Sequence, residues 1–327
     1  MDSLIQSGIQ WVAAVQSLGG WLEAPMRFFS FIGSEDFFFL VLPLIYWSID
    51  SRLGLQVGMI LAASNSLKPV LKMLLAGPRP YWVSAQVKAF AAEGSFGIPS
   101  GHSQDAVSLW GIMASRFRKR WAWAAAFTLA FLIGFSRLYL GVHFVHDVLA
   151  GWLVGAVLLW AFMRFWDSAA AWLKSKSLGT QVMIAFIVSL LVIAAGALTV
   201  ARLEGYAFPE EWVDNALRAG PLPDPVSMEG ILASAGSLFG LAAGAAWIAS
   251  RGGYQASGPA ATRALCYVVG LIGIILLWRG LGQVFPREEN LASYILRYFR
   301  YSLVGFWVTA GAPWLFFHFK LSEKSNI

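Results

Sequence analysis

The sequence predicts an all-helical (all-α) membrane protein, a polytopic bundle of about nine transmembrane helices. Of its 327 residues, 58% are hydrophobic and only 13% are charged, whereas a soluble domain carries about a quarter charged residues. Its long apolar runs match the roughly 20 residues that a helix needs to cross the hydrocarbon core of a bilayer. The single cysteine, Cys266, excludes an intrachain disulfide and a cysteine-based zinc site.

Residues 1–34 are predicted to form an interfacial amphipathic helix rather than a cleaved signal. A signal peptide carries basic residues ahead of its apolar residues, and this segment does not. Glu23 and Arg27 interrupt its apolar run, and Trp11 and Trp21 suit the headgroup level of a membrane.

Nine apolar segments follow, divided between a core, 35–166, and additional C-terminal transmembrane helices, 167–327. The predicted spans are 35–50, 53–76, 100–116, 121–138, 145–166, 181–201, 228–249, 263–284 and 301–319. In the seventh span, three glycines are spaced four apart, a small-residue face that permits close helix packing: Gly236, Gly240 and Gly244. We expect this face to pack within the chain rather than between two copies.

Lysine and arginine in short loops predict the orientation, because they concentrate on the cytoplasmic side. They follow the third, fifth, seventh and ninth spans at Arg116, Arg118, Lys119, Arg120, Lys174, Lys176, Arg251, Arg263, Lys320 and Lys324. These loops account for most of the net charge of +6, so no nucleic-acid partner is expected. Segments 77–100 and 137–144 and the acidic loop 203–227 then lie on the non-cytoplasmic face of a cell membrane.

Three polar motifs stand at the ends of apolar helices on that non-cytoplasmic face. Ionisable groups at membrane depth are costly and are therefore functional candidates. The motifs combine cations, histidines and a carboxylate, a mixture suited to binding a phosphate and attacking it. They are Lys72-Met-Leu-Leu-Ala-Gly-Pro-Arg79-Pro80, Pro99-Ser100-Gly101-His102 and Ser136-Arg137-Leu-Tyr-Leu-Gly-Val-His143-Phe-Val-His146-Asp147.

The first two motifs predict a phosphate-binding site. Arginine offers a planar fork for two phosphate oxygens and lysine a point charge; taken alone, Lys72 could instead snorkel and Arg79 could cap a helix. Ser100 is a predicted N-cap, and Gly101 lets the backbone approach a ligand. Free amides at a helix N-terminus bind anions, so Ser100, Gly101 and His102 are expected to donate to the same phosphate.

The third motif predicts the nucleophile. His143 and Asp147 are four residues apart and therefore share a helical face. A carboxylate on one imidazole nitrogen fixes the tautomer and leaves the other nitrogen free to attack. His146 is interpreted as a polar contact at a helix end, and Asp105 as complementing a helix N-terminus. The motifs contain no carboxylate cluster for Mg²⁺ or Ca²⁺, so neither a metal nor another cofactor is expected.

In this order, the three motifs resemble the signature motifs of the type 2 phosphatidic acid phosphatase superfamily, over residues 35–166. The resemblance implies an all-helical core and metal-independent hydrolysis of a phosphate ester through a phosphohistidine. It implies that His143 is the nucleophile, that Asp147 orients it, and that His102 protonates the leaving oxygen and later activates water. It also implies a set of residues that hold the phosphate oxygens: Lys72, Arg79, Ser100, Gly101 and Arg137.

The sequence leaves three functions open. The nine-span plan and Arg79-Pro-Tyr-Trp82 resemble the glucose-6-phosphatase branch of the superfamily, which favours a sugar-phosphate substrate. A transporter or scaffold that kept the motifs is the alternative from another class. The favoured function is hydrolysis of a lipid phosphate (phosphatidate-like, isoprenyl-(di)phosphate or sphingoid) presented by the membrane. Its hydrophobic part would pass an apolar rim in segment 81–98, formed by Tyr81, Trp82, Phe90 and Phe96.

Overall fold

The computed structural model describes residues 2–286 and 288–322. These residues form helices and loops and include no strand, which confirms the all-helical class. The first helices are α1 (Asp2–Gln16), α2 (Glu23–Ile32), α3 (Glu35–Leu44), α4 (Ser51–Leu75), α5 (Pro80–Val83), α6 (Gly101–Phe117), α7 (Arg120–Tyr139) and α8 (Val145–Lys174). They are followed by α9 (Leu178–Arg202), α10 (Glu210–Ala219), α11 (Glu229–Ala249), α12 (Ala260–Ile275), α13 (Leu281–Val284), α14 (Leu291–Phe306) and α15 (Ala312–His318).

The described residues contain six helical segments that are long and apolar enough to cross a membrane. A seventh results if Gly20–Ile32 and Glu35–Ile49, which are bent by 52° relative to each other, form one span. The nine spans expected from the sequence are therefore not confirmed. The six segments are Ser51–Val83, Arg120–Tyr139, Val145–Lys174, Leu178–Arg202, Glu229–Ala249 and Ala260–Val284.

The predicted third and ninth spans are not among these segments. Helix α6, in place of the third, has 17 residues, about 25 Å of helix, and is shorter than a hydrocarbon core of ~30 Å. It buries the polar side chains of Ser103, Gln104 and Asp105, as expected of a helix enclosed by protein rather than lipid. The predicted ninth span is divided by a π-helical turn at Trp307–Gly311.

The chain forms two compact units that alternate along the sequence. The first contains the residues up to Phe38, Leu67–Trp160 and Leu198–Ser227; the second contains Phe39–Ser66, Ala161–Ala197 and the residues from Met228 onward. All three motifs lie in the first unit. This grouping follows contacts rather than chain order, so the predicted boundaries after residues 34 and 166 stay predictions.

Within the first unit, two glycines of α8 allow a close approach to α6. A Cβ atom at Gly151 would lie 2.4 Å from the carbonyl oxygen of Ser100, and one at Gly155 would lie 2.4 Å from that of Gln104. No larger residue fits there without moving a backbone. The contact places the start of α6, with the second motif, against the start of α8, with Asp147.

The N-terminal helices belong to the same unit. The side-chain amide of Gln16 donates to the carbonyl oxygens of Lys88 at 2.7 Å and Tyr139 at 2.9 Å, and its oxygen accepts from the Lys88 amide at 3.0 Å. Helix α1 thereby holds the loop before the second motif. Trp11 and Trp21 are exposed, which suits the interfacial position that remains a prediction for this segment.

In the second unit, the glycine face of α11 packs within the chain, as expected. A Cβ at Gly236 would lie 2.5 Å from the carbonyl oxygen of Tyr298, and one at Gly240 would lie 2.0 Å from that of Ser302. Both partners belong to α14. The small residues therefore let the backbones of α11 and α14 touch.

Candidate active site

Lys72 and Arg79 converge on one stretch of loop. Helix α4 ends at Leu75, ahead of Gly77-Pro78, so the two cations are not on one continuous helix. The ammonium of Lys72 donates to Ser95 Oγ at 3.0 Å and to the Phe96 carbonyl oxygen at 2.7 Å. Arg79 donates from Nε to the Ser95 carbonyl oxygen at 2.6 Å, and from Nη2 to Ser95 Oγ and the Phe96 carbonyl oxygen, each at 3.1 Å. Ser95 is thus part of the site although the motifs do not contain it.

Arg79 also faces the predicted nucleophile. Its Nη1 lies 3.3 Å from His143 Nε2 and donates to the carbonyl oxygen of Val142 at 2.9 Å. On the other side of the ring, His143 Nδ1 lies 3.2 Å from Asp147 Oδ2. That carboxylate oxygen also accepts from the amide of Phe144 at 2.9 Å. One ring nitrogen therefore faces the Asp147 carboxylate and the other faces the Arg79 guanidinium. The two side chains meet as the spacing predicted, but not on one helical face, because α8 begins at Val145 and His143 precedes it.

The surroundings of His143 favour its neutral form. Burial lowers the pKa of this imidazole well below its usual range, and the charges of Arg79 and Lys72 lower it further, with smaller contributions from Arg137 and His102. We assign the remaining proton to Nδ1, because only a protonated Nδ1 can donate to Asp147. The lone pair then lies on Nε2, the nitrogen that faces Arg79. His102 lies within electrostatic reach of the same ring.

The second motif begins α6 as predicted. The Ser100 hydroxyl accepts from the amide of Ser103 at 3.4 Å and from its hydroxyl at 2.9 Å, so Ser100 is the N-cap. A Cβ at Gly101 would lie 2.9 Å from Cδ of Lys68, which explains the absence of a side chain there. Lys68 in turn pairs with Asp105 at 2.8 Å and Glu35 at 2.7 Å. Asp105 thus has an ion-pair partner in addition to its predicted place near a helix N-terminus.

Arg137 lies in the last turn of α7 and is buried. It donates to the hydroxyl of Ser30 and to the carboxylate of Glu93, and Glu93 also lies 4.0 Å from Arg79. Burial raises the pKa of Glu93, but the charges of Arg137 and Arg79 outweigh burial and hold that pKa well below its usual range. Glu93 is therefore an ionised member of the cluster. Glu93 could not be predicted from the sequence, because a loop position has no periodic relation to the motifs.

His146 takes the minor role expected of it. Its Nε2 lies 3.2 Å from Asp147 Oδ1 but without the angles of a hydrogen bond, and its ring stacks on Phe144. Across residues 2–286 and 288–322, no group of three or more His, Cys, Asp or Glu side chains is placed to hold a metal ion.

The aromatic residues of segment 81–98 do not form the exposed rim that the sequence predicted. Tyr81, Trp82 and Phe96 are buried, and Phe90 is half-buried and stacks on Tyr139. The ring of Trp82 packs edge to face against those of Tyr81 and Phe96, so these side chains form an apolar cluster beside Arg79.

A small apolar pocket adjoins this apolar cluster. The indole of Trp82 lies 6.0 Å from the guanidinium carbon of Arg79, and its carbonyl oxygen accepts from Asn215 of α10 at 3.0 Å. The same indole contributes to the pocket, so an apolar site lies one side chain away from the cations. Its walls are Trp82, Phe208, Trp212, Val213, Leu222 and Pro223.

Several known proteins are similar to this chain in sequence. The chain is 34% identical over 185 residues to human glucose-6-phosphatase 3, covering 49% of this chain and 53% of that protein, so the match spans about half the relative's length. It is 24% identical to glucose-6-phosphatase catalytic subunit 1 of Haplochromis nubilus over 96% of both chains. It is 30% identical to phosphatidylglycerophosphatase B of Bacillus subtilis over 169 residues, 47% of this chain and 79% of that protein.

Two family models match the chain. Residues 53–171 match the PAP2 superfamily, and residues 232–324 match the transmembrane extension of PAP2 superfamily phosphatases. The first match contains all three motifs and the cluster they form. The chain is therefore an integral membrane protein and belongs to the PAP2 superfamily.

Proposed function

We propose that this protein is a membrane phosphatase that hydrolyses a phosphate ester through a phosphohistidine intermediate. The observation that carries the proposal is the setting of His143, with Nδ1 3.2 Å from Asp147 and Nε2 3.3 Å from Arg79. A neutral imidazole held in this way is an activated nucleophile beside a phosphate-binding cation. The relatives named above are phosphatases, which supports the same reaction class.

In the first step, Nε2 of His143 attacks phosphorus. The P–N bond forms as the P–O bond to the leaving group breaks, and His102, which enters this step as an imidazolium beside the bound phosphate, gives its proton to that oxygen and becomes neutral. Asp147 stabilises the positive charge that the imidazole gains. In the second step, His102 takes a proton from water, whose oxygen attacks phosphorus; the P–N bond breaks, and inorganic phosphate and neutral His143 are released.

The cations supply the charge that phosphoryl transfer needs. Such transfer depends mainly on positioning and on neutralising the phosphoryl oxygens. Arg79 and Arg137 offer planar forks and Lys72 a point charge, and Ser100 and Gly101 offer donors at the start of α6. We therefore propose that the reaction is metal-independent.

The proposed substrate is a lipid phosphate of the phosphatidate-like, isoprenyl-(di)phosphate or sphingoid type. Helix α6 begins at the site and is about 25 Å long, so if its other end reaches the cytoplasmic interface, the site lies below the opposite interface of a ~30 Å core. The apolar pocket beside Trp82 could receive a hydrocarbon group. Both features suit a headgroup presented from the bilayer.

A sugar phosphate is the second candidate. The similarity to a glucose-6-phosphatase over 96% of both chains favours it, as does the burial of the aromatic residues that were expected to form a lipid rim. A non-catalytic transporter or scaffold is less well supported, because such a protein has no need of an oriented nucleophile beside a cationic site.

We propose that the site lies on the non-cytoplasmic side of a cell membrane. The exposed basic residues at Arg116, Arg118, Lys119 and Arg120 mark the cytoplasmic side under the positive-inside rule, and α6 separates them from the motif that begins at Pro99. Lys320 supports the same orientation; Lys324 lies outside the described residues.

Purified protein and its His143→Ala variant, assayed in lipid nanodiscs, would test the function. The panel should contain phosphatidate, an isoprenyl diphosphate, a sphingoid phosphate and glucose 6-phosphate, each with and without EDTA. We expect phosphate release by the wild-type protein only, unaffected by EDTA and fastest with a lipid. Preference for glucose 6-phosphate would establish the second candidate. Release by neither protein, with folding intact, would overturn the proposed activity.

A further inference from the structure

The site confines three cationic side chains with little access to water. Lys72, Arg79 and Arg137 are each at most 9% exposed. Buried cations are tolerated only when anions or hydrogen-bond acceptors compensate them. The carbonyl oxygens of Ser95 and Phe96 and the hydroxyl oxygen of Ser95 accept hydrogen bonds from Lys72 and Arg79. None of these oxygens carries a full negative charge.

Glu93 supplies a full negative charge. It is the partner of Arg137 in an ion pair, and its second oxygen is 4.0 Å from Arg79. These are the two arginines assigned to the phosphate oxygens. A phosphate dianion bound to both guanidinium groups would therefore lie beside the carboxylate of Glu93. The two negatively charged groups would repel each other at such a short distance.

The side chain of Glu93 can move away from the two arginines without unfolding the loop, because the backbone of Glu93 is held separately. Its backbone is fixed, because the Tyr81 hydroxyl accepts from its amide at 3.0 Å and donates to its carbonyl oxygen at 3.2 Å. The side chain is 29% exposed, more than any of the three cations. A change of rotamer is therefore enough to free both arginines.

We propose that Glu93 is the resident anion of the phosphate site, which holds the arginines in place when the site is empty and competes with phosphate for them. The competition weakens binding of the free phosphate product and so favours its release. Glu93 would remain ionised through the neutral range, since the arginines hold its pKa well below the usual value. The assignment rests on the proposed function only for the identity of the ligand.

The test is binding of inorganic phosphate and orthovanadate, measured by calorimetry on the intact protein in nanodiscs. Glu93→Gln keeps the size of the side chain and its ability to accept a hydrogen bond but removes the charge. We expect both anions to bind about tenfold more tightly to this variant, a gain of about 1.4 kcal/mol, because the bound anion no longer lies beside a like charge. The KM of the substrate should fall as well.

Two control variants distinguish competition between Glu93 and phosphate from a role of Glu93 in positioning Arg137. Glu93→Asp keeps the charge and should bind phosphate within about threefold of wild type, since a shorter carboxylate still repels. Glu35→Gln removes a charge of the same sign from the Lys68 pair and should leave phosphate affinity nearly unchanged. If Glu93→Gln binds both anions no more tightly than wild type, or more weakly, the proposal fails and Glu93 only positions Arg137. The binding readout needs no turnover, so it is independent of the proposed catalysis.

Discussion

The backbone amide of Ser100 donates a hydrogen bond to the carbonyl oxygen of Asp147 at 2.9 Å. This bond joins the second motif directly to the third, at the point where Gly151 lets α8 touch α6. Asp147 also holds the ring of His143 through its side chain. The N-cap of α6 and the orientation of the His143 ring are therefore fixed by one residue.

We expect His143→Ala to abolish turnover without unfolding the protein. The variant loses the Nε2 that lies 3.3 Å from Arg79, which is the proposed attacking atom. Acid quenching of the wild-type enzyme during turnover should trap a phosphorylated histidine that the variant lacks. His146→Ala is the matched control and should keep near-normal activity. Substantial activity in a folded His143→Ala protein would show that another group attacks.

His102→Ala should reduce turnover by about 10²–10⁴-fold, the usual contribution of general acid–base catalysis. The first step should recover when the leaving group needs no proton. With p-nitrophenyl phosphate we therefore expect a rapid burst of nitrophenol followed by slow hydrolysis, because water activation still fails. Equal losses in both steps for alkyl and nitrophenyl esters would remove His102 from the proton-transfer role.

Arg79→Lys should lower kcat/KM even though the charge is kept. Lysine cannot reproduce the fork that contacts Ser95, Phe96 and Val142 and faces His143. Loss of a preorganised donor to the transferring phosphoryl group costs about 2–4 kcal/mol, a drop of about 30- to 1,000-fold. Arg118→Lys, at an exposed position, is the control. Unchanged kinetics in Arg79→Lys would place Arg79 outside the site.

The acidic limb of the pH–activity profile should reflect protonation of the His143 imidazole. The imidazole must be neutral to attack, so activity is lost as pH falls through its pKa, which is held well below 6.5 by burial and by Arg79 and Lys72. Lys72→Met removes one of these cations, so the pKa should rise and the acidic limb of kcat/KM, which reflects the free enzyme, should move to higher pH. Both enzymes are measured with the same substrate, so that ionisation of the substrate affects the two pH profiles equally. A limb that stays in place, or moves to lower pH, would assign it to another group.

The parts of the site that could be predicted from sequence are those set by residues close together in the chain. His143 and Asp147 are four residues apart and meet at the start of α8, and Ser100 directly precedes α6 as its N-cap. Glu93 and Ser95 could not be predicted, because they reach the arginines through a loop. The nine spans are not confirmed, and hydropathy alone does not reveal that α6 buries polar side chains.

The orientation of the protein is the remaining test, and it decides where the substrate comes from. Lys88, beside the site, and Lys119, after α6, both have exposed side chains. In a Cys266→Ser background, Lys88→Cys should react with an impermeant thiol reagent in intact cells, and Lys119→Cys only after lysis. The hydrogen bonds between Gln16 and Lys88 use the Lys88 backbone, so the substitution leaves them in place. The reverse labelling pattern would put the site on the cytoplasmic face, and the substrate would then have to come from the cytosol or the inner leaflet.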